Sequence, residues 1–423
     1  MAQLNDDCFV IGDALTPAAE ALTRLEQTIQ PVADAETIPL RAATGRVLAR
    51  DIVSAHDVPP HDNAAVDGYA VYYADLDTNG ETRLPLAGRA TAGHPMTGPA
   101  SAGAAIRIFT GAAILPNADG TAPDTVFMQE DCVDDGRHVV VPSGIYRGAN
   151  KRARGEDVRA GDTILKTGHR LRPQDVGLAA AIGQTHLEVY RRLKVAVFST
   201  GDEVFEPGAP LPPGGIYDSN RFTIAGLVES LGCEVRDLGI LADDRTTVTD
   251  ALREAAGHYD VLLTSGGVSV GEEDHVKAAV EALGQLHFWR LAIRPGRPIA
   301  FGQINQVPFV GLPGNPVAVM VTFLRFARPM ILRLGGCRDV TPQHYRVRAA
   351  FDYRKKPGRR EWLRARLVRT EDGTLTAEKY SSEGAGVLSS AVFADGLIEV
   401  AEDVTELSVG SYVEFLPFNE MMR

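Results

Sequence analysis

From residue 193 onward short apolar runs alternate with amphipathic stretches, and this rhythm restricts the possible folds more than any other feature of the chain. An apolar run at 194–198 is followed by a helical stretch that Ser219 or Asn220 can cap, with Gly232 terminating it after Leu231. Runs at 234–238 and 261–264 alternate with helical patterns at 245–256 and 274–283. Extended segments follow at 287–293, 299–304 and 309–312, and Pro316 opens a long apolar helix to about residue 334. Strands alternating with helices predict a parallel-rich sheet covered on both faces, a three-layer α/β domain.

The remainder of the chain has a different texture. At 423 residues it exceeds the roughly 250–300 that one hydrophobic core can serve, so several domains are expected. Residues 16–29 read as an amphipathic helix, with Thr16 placed to cap it, Pro17 at its first position, and Ala21, Leu22, Leu25 and Ile29 on one face. Between 51 and 148, short alternating runs are separated by Gly, Pro, Asp and Asn clusters, the pattern of a small β module. Connecting material with a short helix at 173–182 follows, and alternating β returns after Gly336. The expected division is 1–52 with 150–190, then 53–149, 191–336 and 337–423.

Charge and composition exclude several functions. A formal net charge of −12 argues against a general nucleic-acid binder. Ten Lys and Arg between Arg346 and Arg369 face only Asp352 and Glu361, giving +8 there and −20 elsewhere. Such a strip is either a solvated strand face, which composition alone favours, or the approach to an anion. Cys8, Cys132, Cys233 and Cys337 form no Cys-x-x-Cys pair, so reduced thiols in a reducing compartment are expected. Residues 1–13 hold three aspartates and no Lys or Arg, unlike a secretory leader. No apolar run approaches the ~20 residues of a membrane span. A cytoplasmic location is expected.

In an open α/β sheet, ligands bind beyond the carboxyl ends of the strands. The residues that fall there are Ser199 to Glu203, Ala242 to Asp244, Ser265 to Asp274 and Leu312 to Pro316. The third loop carries Ser265, Gly266, Gly267, Ser269 and Gly271, and is either an anion cradle of backbone N–H groups or a tight turn before a helix. It is neither a P-loop nor a dinucleotide fingerprint. Glu203, Asp243 and Asp274 follow three separate strands, and Mg²⁺ typically takes one or two carboxylates with substrate phosphate. Arg290, Arg294 and Arg297 supply guanidiniums suited to phosphate or another oxyanion.

Six motifs in order then resemble one family. They are Pro59-Pro60-His61-Asp62-Asn63-Ala64-Ala65-Val66-Asp67-Gly68-Tyr69-Ala70-Val71, Arg107-Ile108-Phe109-Thr110-Gly111-Ala112, Arg154-Gly155-Glu156-Asp157, Ser199-Thr200-Gly201-Asp202-Glu203, Ser265-Gly266-Gly267-Val268-Ser269-Val270-Gly271 and Leu312-Pro313-Gly314-Asn315-Pro316. Together they resemble the molybdopterin molybdenumtransferases, MoeA and the E domain of gephyrin. The resemblance implies a molybdopterin-binding α/β domain flanked by two β-rich domains and an elongated linker domain, in a homodimer with a shared cleft.

It further implies Mg-dependent insertion of molybdenum from molybdate into adenylylated molybdopterin, with release of AMP. By the same resemblance Glu203 and Asp274 hold Mg²⁺, and Asp67, Thr110 and Asp243 line the cleft. Arg290, Arg294 and Arg364 engage pterin phosphate or molybdate, which gives the basic strip a role. Ser265, Gly266, Gly267, Ser269, Gly271, Pro313, Gly314, Asn315 and Pro316 surround the substrate. Other cofactor-synthesis proteins or apo-molybdoenzymes are implied as contacts. The chain departs from the family in carrying Arg at 290, 294 and 297 where Lys is commoner, and Ala318 and Ala385 where hydroxyls are usual; Ser381 or Ser382 can substitute. A pyrophosphatase on the same substrate and a non-catalytic pterin carrier are the rival readings.

Overall fold

The computed structural model describes residues 15–267, 275–296 and 298–422, with the backbone alone at 288–290 and 298. The strand–helix rhythm builds a six-stranded sheet in the order Glu234–Leu241, Lys194–Thr200, Val261–Ser265, Val307–Leu312, Pro298–Ile304, Gly284–Arg290. The first four strands run parallel. The last two are antiparallel to their neighbours. Pro298–Ile304 and Val307–Leu312 are joined only by Asn305 and Gln306, with φ of 49° and 81°. Two residues at positive φ make a hairpin turn, and a link so short cannot carry the crossover that parallel strands require.

Side chains of the central strands alternate between two cores. Val195, Val197 and Leu263 face Ile224, Leu227 and the long helical run from Pro316. Ala196, Phe198 and Leu262 face Val248, Leu252, Val276 and Ala279. Both faces are covered, as a three-layer α/β domain requires. The long helix is interrupted: Pro316–Thr322 passes through a π-helical turn at Phe323–Ala327 into Arg328–Leu334. Pro329 has no N–H to return to Arg325, so the regular ladder fails there.

The N-terminal helix, Ala18–Thr28, buries Ala18, Ala21 and Leu25 in the same core as the α/β helices. Thr16 does not cap it. Pro17 holds that position, while Thr16 pairs with Leu291 and its carbonyl accepts the Ala292 N–H at 2.8 Å. An extended pairing turns the hydroxyl into the core, where it has no partner among the described residues. Segments 35–53 and 158–190 meet as antiparallel pairs, Ala35–Pro39 with His186–Tyr190 and Ile52–Val53 with Thr163–Leu165.

Between them lies a second six-stranded sheet in the order Thr125–Met128, Gly68–Val71, Ala105–Ile108, Thr82–Ala90, His138–Val141, Val133–Asp134. After Gly336, Arg360–Arg369, Leu375–Lys379, Tyr345–Ala349, Tyr412–Pro417 and Gly396–Val400 pair in a ring that closes on Arg360–Arg369, forming a small barrel. Four of the ten cations of the basic strip meet carboxylates within this barrel, Arg346 with Glu414 at 3.8 Å among them. Arg354 meets Glu406 at 2.8 Å, Arg366 meets Glu378 at 2.8 Å, and Arg360 meets Glu399 at 2.9 Å and Glu402 at 3.0 Å. No helix among the described residues is long and apolar enough to cross a membrane. Cys132, Cys233 and Cys337 are free thiols; Cys8 lies outside the described residues.

Candidate functional site

At the carboxyl edge of the α/β sheet, hydroxyl side chains replace apolar ones. Ser199 and Ser265 stand in register on adjacent strands, and Thr264 is in register with Gly311 on the next. Ser199 Oγ, Thr200 Oγ1 and Thr264 Oγ1 are buried with no hydrogen-bond partner among the described residues. An unsatisfied buried polar group costs about 1–3 kcal/mol. Three at one edge are therefore a notable concentration of unmet hydrogen-bonding capacity. Gly266 and Gly267 sit directly above them at φ of 86° and 63°. A Cβ on Gly267 would stand 2.5 Å from Thr200 Oγ1, so only glycine lets the loop descend onto the strand ends.

Asn220 ties this loop to the next one. Its Nδ2 donates to Ser265 Oγ at 2.8 Å and to the Gly314 carbonyl at 2.7 Å. The sequence reading missed it, because an Asn after Ser219 at a helix start looks like a cap. Ser219 occupies the cap position, although neither side chain makes a capping bond. The same helix is anchored by Arg221, whose guanidinium reaches Asp218 at 3.0 Å, Asp237 at 2.6 Å and Glu206 at 2.6 Å.

Glu203 and Asp243 follow the adjacent strands Lys194–Thr200 and Glu234–Leu241 and lie exposed at this edge. Neither side chain has a cation or hydrogen-bond partner among the described residues. Glu203 curls back over Gly201: a Cβ there, at φ +129°, would fall 2.6 Å from Glu203 Oε2. Asp274, Ser269 and Gly271 lie outside the described residues, as does Arg297. No group of three or more potential metal ligands occurs among the described residues. Free carboxylate oxygens beside a polar edge suit a hard cation shared with substrate phosphate rather than one caged by protein alone.

The barrel reaches the same edge. Ile293–Arg294 pairs with Arg360–Glu361, and the Val317 N–H donates to the Ala385 carbonyl at 2.9 Å. The loop around Ala385 is thus seated on the start of the Pro316 helix, where Asn315 Oδ1 lies 3.8 Å from a Cβ built on Gly386. Pro313 and Ala318 pack 3.5 Å from a Cβ built on Gly296, beside Arg294. Arg294 is half-exposed, paired with Glu383 at 3.0 Å and with Glu361 at 3.5 Å.

Arg364 is 4% exposed. Its Nε donates to Ser390 Oγ at 3.0 Å, and its Nη2 to the carbonyls of Ser382 at 2.9 Å and Gly384 at 3.3 Å. Arg364 therefore acts first on the loop. Ser382 Oγ accepts the Gly384 N–H within that turn. Arg290 ends its strand opposite Pro298.

Asp67 and Thr110 belong to the other β module. Asp67 Oδ1 accepts both the Thr110 N–H at 2.8 Å and the Thr110 hydroxyl at 2.7 Å. The Thr110 N–H, then its hydroxyl, hold the carboxyl below the usual carboxylate range. The hydrogen bonds described for these two residues stay inside their module, so one chain does not join the Asp67 clasp to the α/β edge by such bonds.

The fold and the edge define a molybdopterin-binding type of α/β protein: residues 196–333 match a probable molybdopterin binding domain. Residues 16–183 match the MoeA N-terminal region (domain I and II), and 346–418 the MoeA C-terminal region (domain IV). The chain is 39% identical over 400 residues to a molybdopterin molybdenumtransferase of Haemophilus influenzae, covering 94% of this chain and 97% of that one. It is 37% identical to one from a Nostoc species over 336 residues, 78% of this chain and 76% of that one. A crystal structure of a molybdopterin biosynthesis moeA protein from Pyrococcus horikoshii is similar with a TM-score of 0.80 and 30% identity, covering 96% of this chain and 100% of that one. The chain belongs to the molybdopterin molybdenumtransferase (MoeA) family.

Proposed function

We propose that this enzyme inserts molybdenum from molybdate into adenylylated molybdopterin and releases AMP, in the cytoplasm, as a homodimer. The carrying observation is the side chain of Asn220, which joins the Ser265 and Gly314 loops over an edge lined by buried, unpartnered hydroxyls. Such an edge suits a ligand rich in polar atoms. Ser265, Gly266, Gly267, Pro313, Gly314, Asn315 and Pro316 surround it, with Ser269 and Gly271 continuing the loop.

Glu203 and Asp274 would hold Mg²⁺, which when bound would neutralise charge on the substrate phosphates. Asp243 lines the same edge, while Asp67 and Thr110 enter from the partner subunit. Arg290 and Arg294 receive the oxyanion. Arg364 holds the Ser382–Ala385 turn against the site, keeping backbone groups in place where the family more often has hydroxyls.

The test is AMP release from adenylylated molybdopterin by the full-length protein, with molybdate and Mg²⁺ each omitted in turn. Release requiring both is expected. Release without molybdate would make the protein a pyrophosphatase, and tight binding without turnover would make it a carrier.

A further inference from the structure

The β module carries two cations that the reading above leaves unused. Arg89 and Arg107 are register partners on the parallel strands Thr82–Ala90 and Ala105–Ile108. Both guanidiniums lie over one ring, 4.9 and 4.5 Å from the centroid of Phe109. Arg107 also lies 4.9 Å from the Tyr69 ring. It donates to the Gly68 carbonyl at 2.9 Å and to Gln129 Oε1. Arg89 is exposed, with no hydrogen bond or ion pair among the described residues. Neither arginine makes a salt bridge among the described residues, although Asp67 and Asp134 lie within electrostatic reach of Arg107; in the barrel Arg354, Arg360 and Arg366 do make one.

Like charges placed directly across neighbouring strands repel. In a chain of net charge −12, neither guanidinium has been given a salt-bridging carboxylate among the described residues, and the acids in reach, Asp67 and Asp134, act on Arg107 and not on Arg89, so the couple calls for an explanation. An anion between the two guanidiniums turns repulsion into attraction, and a phosphate matches their forked donors. Position narrows the choice. Phe109 directly precedes Thr110, and Arg107 grips the carbonyl that follows Asp67, so the pair borders the Asp67–Thr110 clasp.

We infer that Arg89 and Arg107 bind the phosphate of a nucleoside monophosphate, with Phe109 as the apolar floor beneath it. This rests on the proposed reading for its assignment to the adenylyl end of the substrate. The pterin then belongs to the α/β edge, and the two walls of the cleft divide the substrate between them.

The experiment is calorimetric titration of the full-length protein with AMP, without molybdate, comparing wild type with Arg89→Ala and Arg89→Lys. Arg89→Ala should weaken AMP binding about tenfold and flatten its salt dependence, since one fewer cation meets the phosphate. Arg89→Lys should recover part of the affinity, adenosine should bind all forms alike, and melting should be unchanged because Arg89 is exposed. AMP binding to Arg89→Ala at wild-type strength overturns the site. So does unchanged AMP affinity with loss of dimer in Arg89→Glu, which would give the pair to a carboxylate of a second copy. If wild type binds AMP through Arg89 but never releases it from the adenylylated pterin, the proposed reaction falls and the site stands.

Discussion

Removing the Asn220 amide is the most direct challenge to the site as described. Asn220→Ala deletes two neutral hydrogen bonds, 2.8 Å to Ser265 Oγ and 2.7 Å to the Gly314 carbonyl. At about 0.5–1.5 kcal/mol each, the loss is ~1–3 kcal/mol of loop organisation. With about 1.4 kcal/mol per tenfold in rate, kcat/KM for AMP release should fall roughly 5- to 150-fold. The loops are organised before substrate arrives, so most of the change should be in KM. Asn220→Asp should be worse: its carboxylate cannot donate to the Gly314 carbonyl and adds negative charge beside an anionic substrate. The assay is steady-state AMP release at varied pterin concentration, with thermal melting of each variant alongside. Asn220→Ala within twofold of wild-type kcat/KM, at an unchanged melting temperature, would refute the claim that this amide holds the two loops together.

Three further outcomes are expected. Glu203→Gln keeps shape and removes charge, so kcat should drop at least about tenfold with more Mg²⁺ needed for half-activation; unchanged Mg²⁺ dependence removes Glu203 from the metal site. Gly267→Ala must hold φ 63° and place a Cβ 2.5 Å from Thr200 Oγ1 and 2.7 Å from Val276 Cγ2, a strain of about 1–3 kcal/mol that should lower both melting temperature and kcat/KM; a wild-type melting curve contradicts it. Asp175 is buried, which raises its pKa, but bonds from Arg172 and His169 outweigh burial and hold the carboxyl below its ordinary range. A lowered native pKa stabilises the fold above the unfolded value of about 3.9, and that stability is lost as pH falls through the native value. Asp175→Asn should therefore be less stable than wild type in urea at pH 7, with the gap closing at lower pH; a pH-independent gap defeats the assignment.

How far the residues announced this architecture depends on the range of the interaction. The α/β domain was legible because period-2 strands and helical periodicity are local signals, and the six ordered motifs marked the glycine loops and the acids after the strands. Pairing over long range was not legible. Nothing near Arg354, Arg360 or Arg366 says that Glu406, Glu399 and Glu378 will stand across from them, so these cross-strand ion pairs inside the basic strip could not be foreseen. The closing of the barrel on Arg360–Arg369 and the pairing of Ile293–Arg294 with it depend on the same distant register. Asn220 escaped for a different reason: residue type and position fit a helix cap, and only the folded loop shows a carbonyl and a hydroxyl within reach of its amide.

Charge ties these results together. A chain of net charge −12 cannot attract molybdate and a phosphorylated pterin by its overall field, so on the proposed reading attraction must be local. The barrel pairs Arg346, Arg354, Arg360 and Arg366 with its own carboxylates. Arg294 keeps half its side chain exposed beside the Pro313 turn although Glu361 and Glu383 lie close, and those two acids orient the guanidinium without burying it. Arg364 is the opposite case, its charge withdrawn to fasten a loop. Arg89 and Arg107 stand as register partners of like charge with no salt bridge among the described residues, on the module that carries the Asp67–Thr110 clasp. The distribution fits a site assembled from two walls, each supplying its own small positive surface to one end of an elongated anion.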